Sequence, residues 1–214
     1  MPDRTLPIRT TAAVPLVAAL LLSGCGTTPK PDAPAAPKRT TAPAAPEKPA
    51  AEAAATLGGP GTACALPVSF ALAKGWKPEA VKDPENPEFA ELTRQGPAVM
   101  RCEVDAKPTG NIGYLRVWTV AKGPARTALE GFVKAADQPS AVAYRETRAG
   151  SLAAVEVTYT SHGELTDETK EQRAFAVATP KGPVVIVHLG GLDADEHRAM
   201  LPAYELAKST TKAL

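Results

Sequence analysis

Between Gly26 and Gly61 the chain places eight of its 22 prolines among alanines and scattered charges, with few large apolar side chains. Such a stretch cannot bury enough apolar surface to offset the entropy of ordering it. Together with Cys25 it reads as a disordered, semi-rigid tether over residues 25–61, in which proline favours extended polyproline II backbone. At ~3.1 Å per residue it spans at most about 110 Å. Thr40-Thr41, beside the prolines, are candidates for sugar modification on composition alone. Residues 62–214 are left to fold. That is the length of one domain, able to bury about two thirds of its unfolded surface, and it contains no internal repeat.

Ahead of the tether, Arg4 and Arg9 precede an uncharged apolar run from Thr10 to Leu22, the order of a secretory signal. A helix of that length rises only about 20 Å against a bilayer core of about 30 Å, so a permanent transmembrane helix fits poorly. The run ends in Leu22-Ser23-Gly24-Cys25, which resembles the lipobox of bacterial lipoproteins. The resemblance implies removal of residues 1–24 as a signal peptide and acylation of Cys25, palmitate included. Membrane affinity would then come from more than one acyl chain.

Loss of residues 1–24 leaves 22 basic and 22 acidic residues. A formally neutral chain without a basic stripe argues against nucleic acid as a partner, and against a polybasic membrane patch. Cys64 and Cys102 remain, in an oxidising compartment where a disulfide bond is expected to persist. It would close a loop of about 40 residues, worth about 4 kcal/mol in the chain-entropy model. Two buried free thiols are the alternative. Two thiols without a nearby His pair do not make a zinc site.

Within the domain, Val68, Phe70 and Leu72 alternate with small residues up to a Lys74-Gly75-Trp76 turn, and Asn86-Pro87 opens a short helix. Residues 99–106 and 112–121 read as a hairpin, with Cys102 sharing a face with Met100 and Val104. Gly123-Pro124 starts a helix with Leu129, Phe132 and Val133 on one side. Strands follow at 142–148 and 152–160, the second with Val155, Val157 and Tyr159 on one face and Glu156, Thr158 and Thr160 on the other. Residues 161–170 read as a loop, and 172–179 and 184–189 as a hairpin around Pro180 to Pro183. Val184 to Val187 is apolar on both faces, which predicts a central strand. A capping box at Asp193 and Glu196 opens a last helix, either kinked at Pro202 or beginning near Leu201.

This order predicts an α+β domain, a curved antiparallel sheet flanked by helices. The run Phe70 to Trp76, the pairs around Ala149-Gly150 and Lys181-Gly182, and the final helix resemble the Mog1/PsbP-like fold, including actinobacterial LpqN-type lipoproteins. The resemblance implies a domain that contacts partner proteins and carries no catalytic residue set. It also implies an actinobacterial host, with the anchor at the outer face of the cytoplasmic membrane.

No serine-hydrolase elbow, P-loop, dinucleotide fingerprint or zincin motif occurs. His162, His188 and His197 lack metal-ligand spacing. His188 continues the face of Val184 and Ile186 and is a candidate pocket residue. Asp193, Asp195 and Glu196 suit the first turn of a helix better than a cation site. Trp76 and Tyr159 are expected in the core, whereas Tyr114, Arg116 and Trp118 share a strand face that forms a binding surface if no helix covers it. No catalytic residue, metal or cofactor is expected. The reading is a noncatalytic envelope lipoprotein that binds a protein partner; the alternatives are carriage of a small apolar or lipidic ligand, and an uncharacterised enzyme. Replacing Cys25 with Ser is expected to move the protein from the membrane to the soluble fraction and to abolish the acylated N-terminal peptide seen by mass spectrometry.

Overall fold

The computed structural model describes residues 50–163, 167–180 and 182–214. The export signal, Cys25 with its lipobox, Thr40-Thr41, residues 26–49 of the expected tether and Lys181 lie outside the described residues. Folded structure begins earlier than residue 62. Strand β1 (Ala53–Leu57) pairs antiparallel with β2 (Val68–Ala73), with Leu57 opposite Phe70. Leu57 is buried, and Gly58 follows at φ +87°, where a Cβ would lie 1.9 Å from the Val68 carbonyl oxygen. Only glycine makes that turn. One leucine at the end of an alanine run is a faint compositional signal for this strand.

The turn at Gly75 leads into β3 (Lys77–Ala80). Asn86 caps a 3-10 helix, Pro87–Thr93, its side-chain oxygen accepting the Glu88 N–H at 3.0 Å. Then come β4 (Arg94–Gln95), β5 (Ala98–Asp105), a short 3-10 turn, and β6 (Gly113–Val120). Helix α1 (Ala125–Lys134) precedes β7 (Ser140–Ala149), β8 (Leu152–Gly163), β9 (Glu168–Ala178) and β10 (Val184–Gly191). Helix α2 (Ala194–Thr210) runs through Pro202 from its Asp193 cap, so it does not begin near Leu201, and β11 (Lys212–Ala213) ends the chain.

The strands form a sheet of order β3-β5-β6-β10-β9-β8-β7, with β4 beside β5, and a second sheet β1-β2-β11. All pairings are antiparallel. This is the expected α+β architecture, with β10 at the centre of the large sheet. Residues 161–163 and 168–170 extend β8 and β9 rather than forming a loop, because Ser161 and His162 pair with Lys170 and Thr169. Helix α2 and β2 cover one face, where Met200, Tyr204, Val185, Val187, Leu189 and Phe175 pack together. Helix α1 covers the other through Leu129, Phe132 and Val133 over Trp118, Val157 and Ile186.

A register shift between Met100 and Cys102 corrects one facing assignment. The bulge sends Met100 to the α1 side and Cys102, with Val104, to the α2 side. There Cys102 is bonded to Cys64 across a Cα–Cα distance of 5.8 Å, fastening the segment before β2 onto β5.

Glu156, on the face opposite Val155 and Val157 as alternation predicts, is fully buried on the α2 side of β8. Its Oε1 accepts hydrogen bonds from Lys208 Nζ at 2.9 Å, Tyr204 O–H at 2.9 Å and Arg173 Nε at 3.1 Å; Arg145 of β7 bonds Oε2 at 2.5 Å. Burial alone raises a carboxyl's pKa, but here the hydrogen bonds from Lys208 and Arg173 outweigh it and hold the group at about 2. The folded value lies below the ordinary carboxylate range, so this contribution to stability is present above pH ~4.5 and is lost as pH falls towards 2. Glu156→Gln leaves three cations around an uncharged amide and is expected to cost about 3 kcal/mol, read as a lower urea midpoint at pH 7. The difference from wild type should shrink as the unfolding series is taken below pH 4.

Candidate functional site

Helix α1 has ten residues, about 15 Å, whereas the twelve residues of β8 span about 40 Å. It therefore covers part of its face of the sheet, and the residue alternation registers where cover ends. Along that face β10 reads Val184, Ile186, His188, Gly190, and β8 reads Val155, Val157, Tyr159, Ser161. On β9 the order is Ala176, Ala174, Gln172, Lys170, and on β6 Trp118, Arg116, Tyr114. In all four strands the residues beneath α1 are apolar and those beyond it turn polar. Over the polar half lies a cavity of about 530 Å³, floored by Tyr114, Arg116, Tyr159, Gln172, His188 and Gly190. Arg94, Lys170, Asp137, Ile112 and Leu192 are among the residues that border it.

His188 stands at the boundary between the two halves. Its ring meets Phe132 of α1 edge-on at 5.3 Å and lies nearly parallel to Tyr159 at 6.4 Å. Nε2 is 2.8 Å from Gln172 Oε1 and 3.5 Å from the Tyr159 hydroxyl, while Nδ1 is buried and, among the described residues, has no partner. Burial, helped by the charges of Arg116 and His197, pushes the imidazole down to about 3. It is a neutral hydrogen-bonding group at physiological pH, and its hydrogen-bond neighbours are an amide and a phenol rather than a carboxylate. Burial likewise pushes the Tyr159 phenol up, so it too stays uncharged.

Of the three residues expected to share a binding surface, Tyr114 and Arg116 face the cavity, the Arg116 guanidinium lying 5.0 Å from the Tyr114 ring centroid. Trp118 does not. It is 4% exposed and packs edge-on against Phe132 at 5.4 Å, because α1 covers that end of β6. Trp76 is in the core, as expected. His162 lies near Asp167 and Thr169 on the far hairpin, and His197 is buried on α2 against Gly191. Asp193 accepts the Glu196 N–H at 2.8 Å and Asp195 pairs with Arg198, so this acidic group starts a helix. Among the described residues no three His, Cys, Asp or Glu side chains gather as a metal site would need.

Sequence reasoning missed Gln172, Lys170, Ser161, Arg94 and the Ile112–Leu192 border. The shared switch from apolar to polar along one face could have revealed the first three. The polar composition of residues 161–170, which reads as a loop, hides it.

The chain matches the family described as "Uncharacterised lipoprotein" over residues 34–211. It is similar in structure to cyanobacterial PsbP (CyanoP) from Synechocystis, with a TM-score of 0.48 at 14% identity, over 74% of this chain and 97% of that one. It is also similar to LpqN, described as involved in cell envelope biogenesis of Mycobacterium tuberculosis, with a TM-score of 0.42 at 12% identity, over 68% of this chain and 82% of that one. No curated protein matches its sequence.

The His188 environment has a direct spectroscopic consequence. Its imidazole resonances are expected to stay constant from pH 8 to pH 5; a midpoint near 6.5 would contradict the buried neutral assignment. Because the unfolded chain takes up that proton near pH 6.5 and the folded one only near 3, the stability tied to His188 is complete above pH ~6.5 and declines below it.

Proposed function

The chain belongs to this family of uncharacterised lipoproteins, and we propose on that premise that it is a noncatalytic cell-envelope protein whose half-open sheet face binds a protein partner. In this reading acyl chains on Cys25 hold it at the outer face of the cytoplasmic membrane, and the proline-rich segment lets the domain search for its partner. The observation that carries the reading is the incomplete cover of the large sheet. The uncovered stretch runs across four strands and is bordered by Ile112 and Leu192, at 47% and 45% exposure, which sets two half-exposed aliphatic side chains beside a concave polar surface.

The chemistry of the site favours binding over turnover. General acid–base work needs a titrating group with an orienting partner, and nucleophilic work needs a base beside the nucleophile. His188 is held neutral between Gln172 and Tyr159, and the charged residues at the cavity include no carboxylate within hydrogen-bond reach of it. Two of the residue types at the cavity, tyrosine and arginine, are those enriched at protein interfaces.

A photocrosslinking amino acid at Tyr114 of the full-length protein, expressed in its own host, is expected to capture the same protein neighbour repeatedly. The same probe at Arg148, on the opposite ends of the strands, should not. Gly190→Val, which adds a side chain to the cavity floor near Gln172 and His188, should abolish the Tyr114 adduct while leaving the thermal midpoint within a few degrees. Repeated absence of protein adducts, with copurifying lipid in native mass spectrometry, would replace this reading with carriage of an apolar ligand.

A further inference from the structure

We propose that the groove recognises an acidic segment of its protein partner, an Asp or Glu side chain next to an aliphatic one; this rests on the partner-binding reading above. Three cations, Arg94, Arg116 and Lys170, border or floor the cavity against one carboxylate, Asp137. The chain as a whole has a formal net charge of only +1, and Glu103 and Glu168 pair with two of these cations, so among the described residues the cation of the groove left without an ion pair is Arg94. Local potentials of this kind select and orient partners more than net charge does.

The three cations are not equivalent. Arg116 Nε bonds Glu103 at 2.7 Å and Lys170 pairs with Glu168 at 3.2 Å, so each is partly neutralised and held in place. Arg94 is exposed and, among the described residues, its side chain has no hydrogen bond or ion pair. It is the uncommitted guanidinium of the groove, a planar fork suited to a carboxylate. Beneath it the floor is polar and carries no negative charge: Gln172, Tyr159 and neutral His188 hydrogen-bond with one another.

The other requirement comes from Ile112 and Leu192. Their segments are joined by the Leu192 N–H to the Ile112 carbonyl at 2.9 Å, which places two half-exposed aliphatic side chains at one border of the same cavity. They are the large aliphatic residues of its lining. That patch suits one or two side chains of a peptide segment, whereas an acyl chain needs a continuous apolar lining. A protein segment is therefore favoured over an anionic lipid as the source of the carboxylate.

The test uses displayed random dodecapeptides selected on the full-length protein in detergent micelles. Selected peptides should be enriched in Asp or Glu beside Leu, Ile or Val. A synthetic winner should lose at least tenfold in affinity when its acid becomes the amide, or when the protein carries Arg94→Glu, and should weaken as salt is raised. Arg148→Glu, the same charge change at the far end of the strands, should leave affinity unchanged. Selection without acidic enrichment, equal affinity for Arg94→Glu, or binding to phosphatidylglycerol vesicles in place of peptides would each overturn the proposal. If Tyr114 adducts in cells persist undiminished in Arg94→Glu, the acidic specificity falls while partner binding stands. If no protein adduct forms at all, both fall.

Discussion

A single buried carboxylate decides how this domain is assembled. Glu156 sits at the middle of β8 with no exposure to water, and its four partners come from β7, β9 and α2. A charge in that position is tolerable only when its partners are in place, so the seating of α2 and the alignment of three adjacent strands are coupled to one another. Apolar packing around Met200, Tyr204 and Phe175 supplies the bulk of the driving force, but it would accept a helix rotated or shifted by a turn. The ion cluster would not.

With α2 fixed on one face, the asymmetry of the other follows from length. Ten residues of α1 cannot cover strands of eleven and twelve residues, and the uncovered half has to be compatible with water. The sequence meets that demand by changing residue type along the strand rather than across it. The same strand that packs Ile186 under Phe132 presents His188 at the rim and a glycine beyond. Core and candidate site are thus consecutive positions on one face, and the electrostatics of the site are inherited from its distance to the helix.

Period-two alternation, turn chemistry and capping were enough to locate β2, β5, β6, β10 and both helices, and to place β10 at the centre. The Asn86 and Asp193 caps appear in the structure with the hydrogen bonds their residue types imply. What escaped detection has physical causes. β1 is too poor in large side chains to stand out from the segment before it, and its order comes from pairing with β2 and from Leu57. The bulge at Met100 and Cys102 changes facing without changing composition. Strand alternation gives the facing of Glu156 and Trp118, whereas their burial depends on which helix lies over them, and that is a long-range property. Tyr114, Arg116 and His188 were legible because strand facing carries over from sequence directly; Arg94 reaches the cavity only through the pairing of β4 with β5.

The central position of β10 bears on how the cavity behaves in time. Residues Val184 to Gly190 are paired along their length on both sides, the placement from which slow, well-protected amides are expected. His188 and Gly190 therefore belong to a strand paired on both sides, not to a loop. A surface built on such a strand spends little ordering entropy when something settles on it. Its selectivity would reside in the fixed spacing of donors and acceptors rather than in adaptation, and would survive conditions under which the bordering segments had begun to fray.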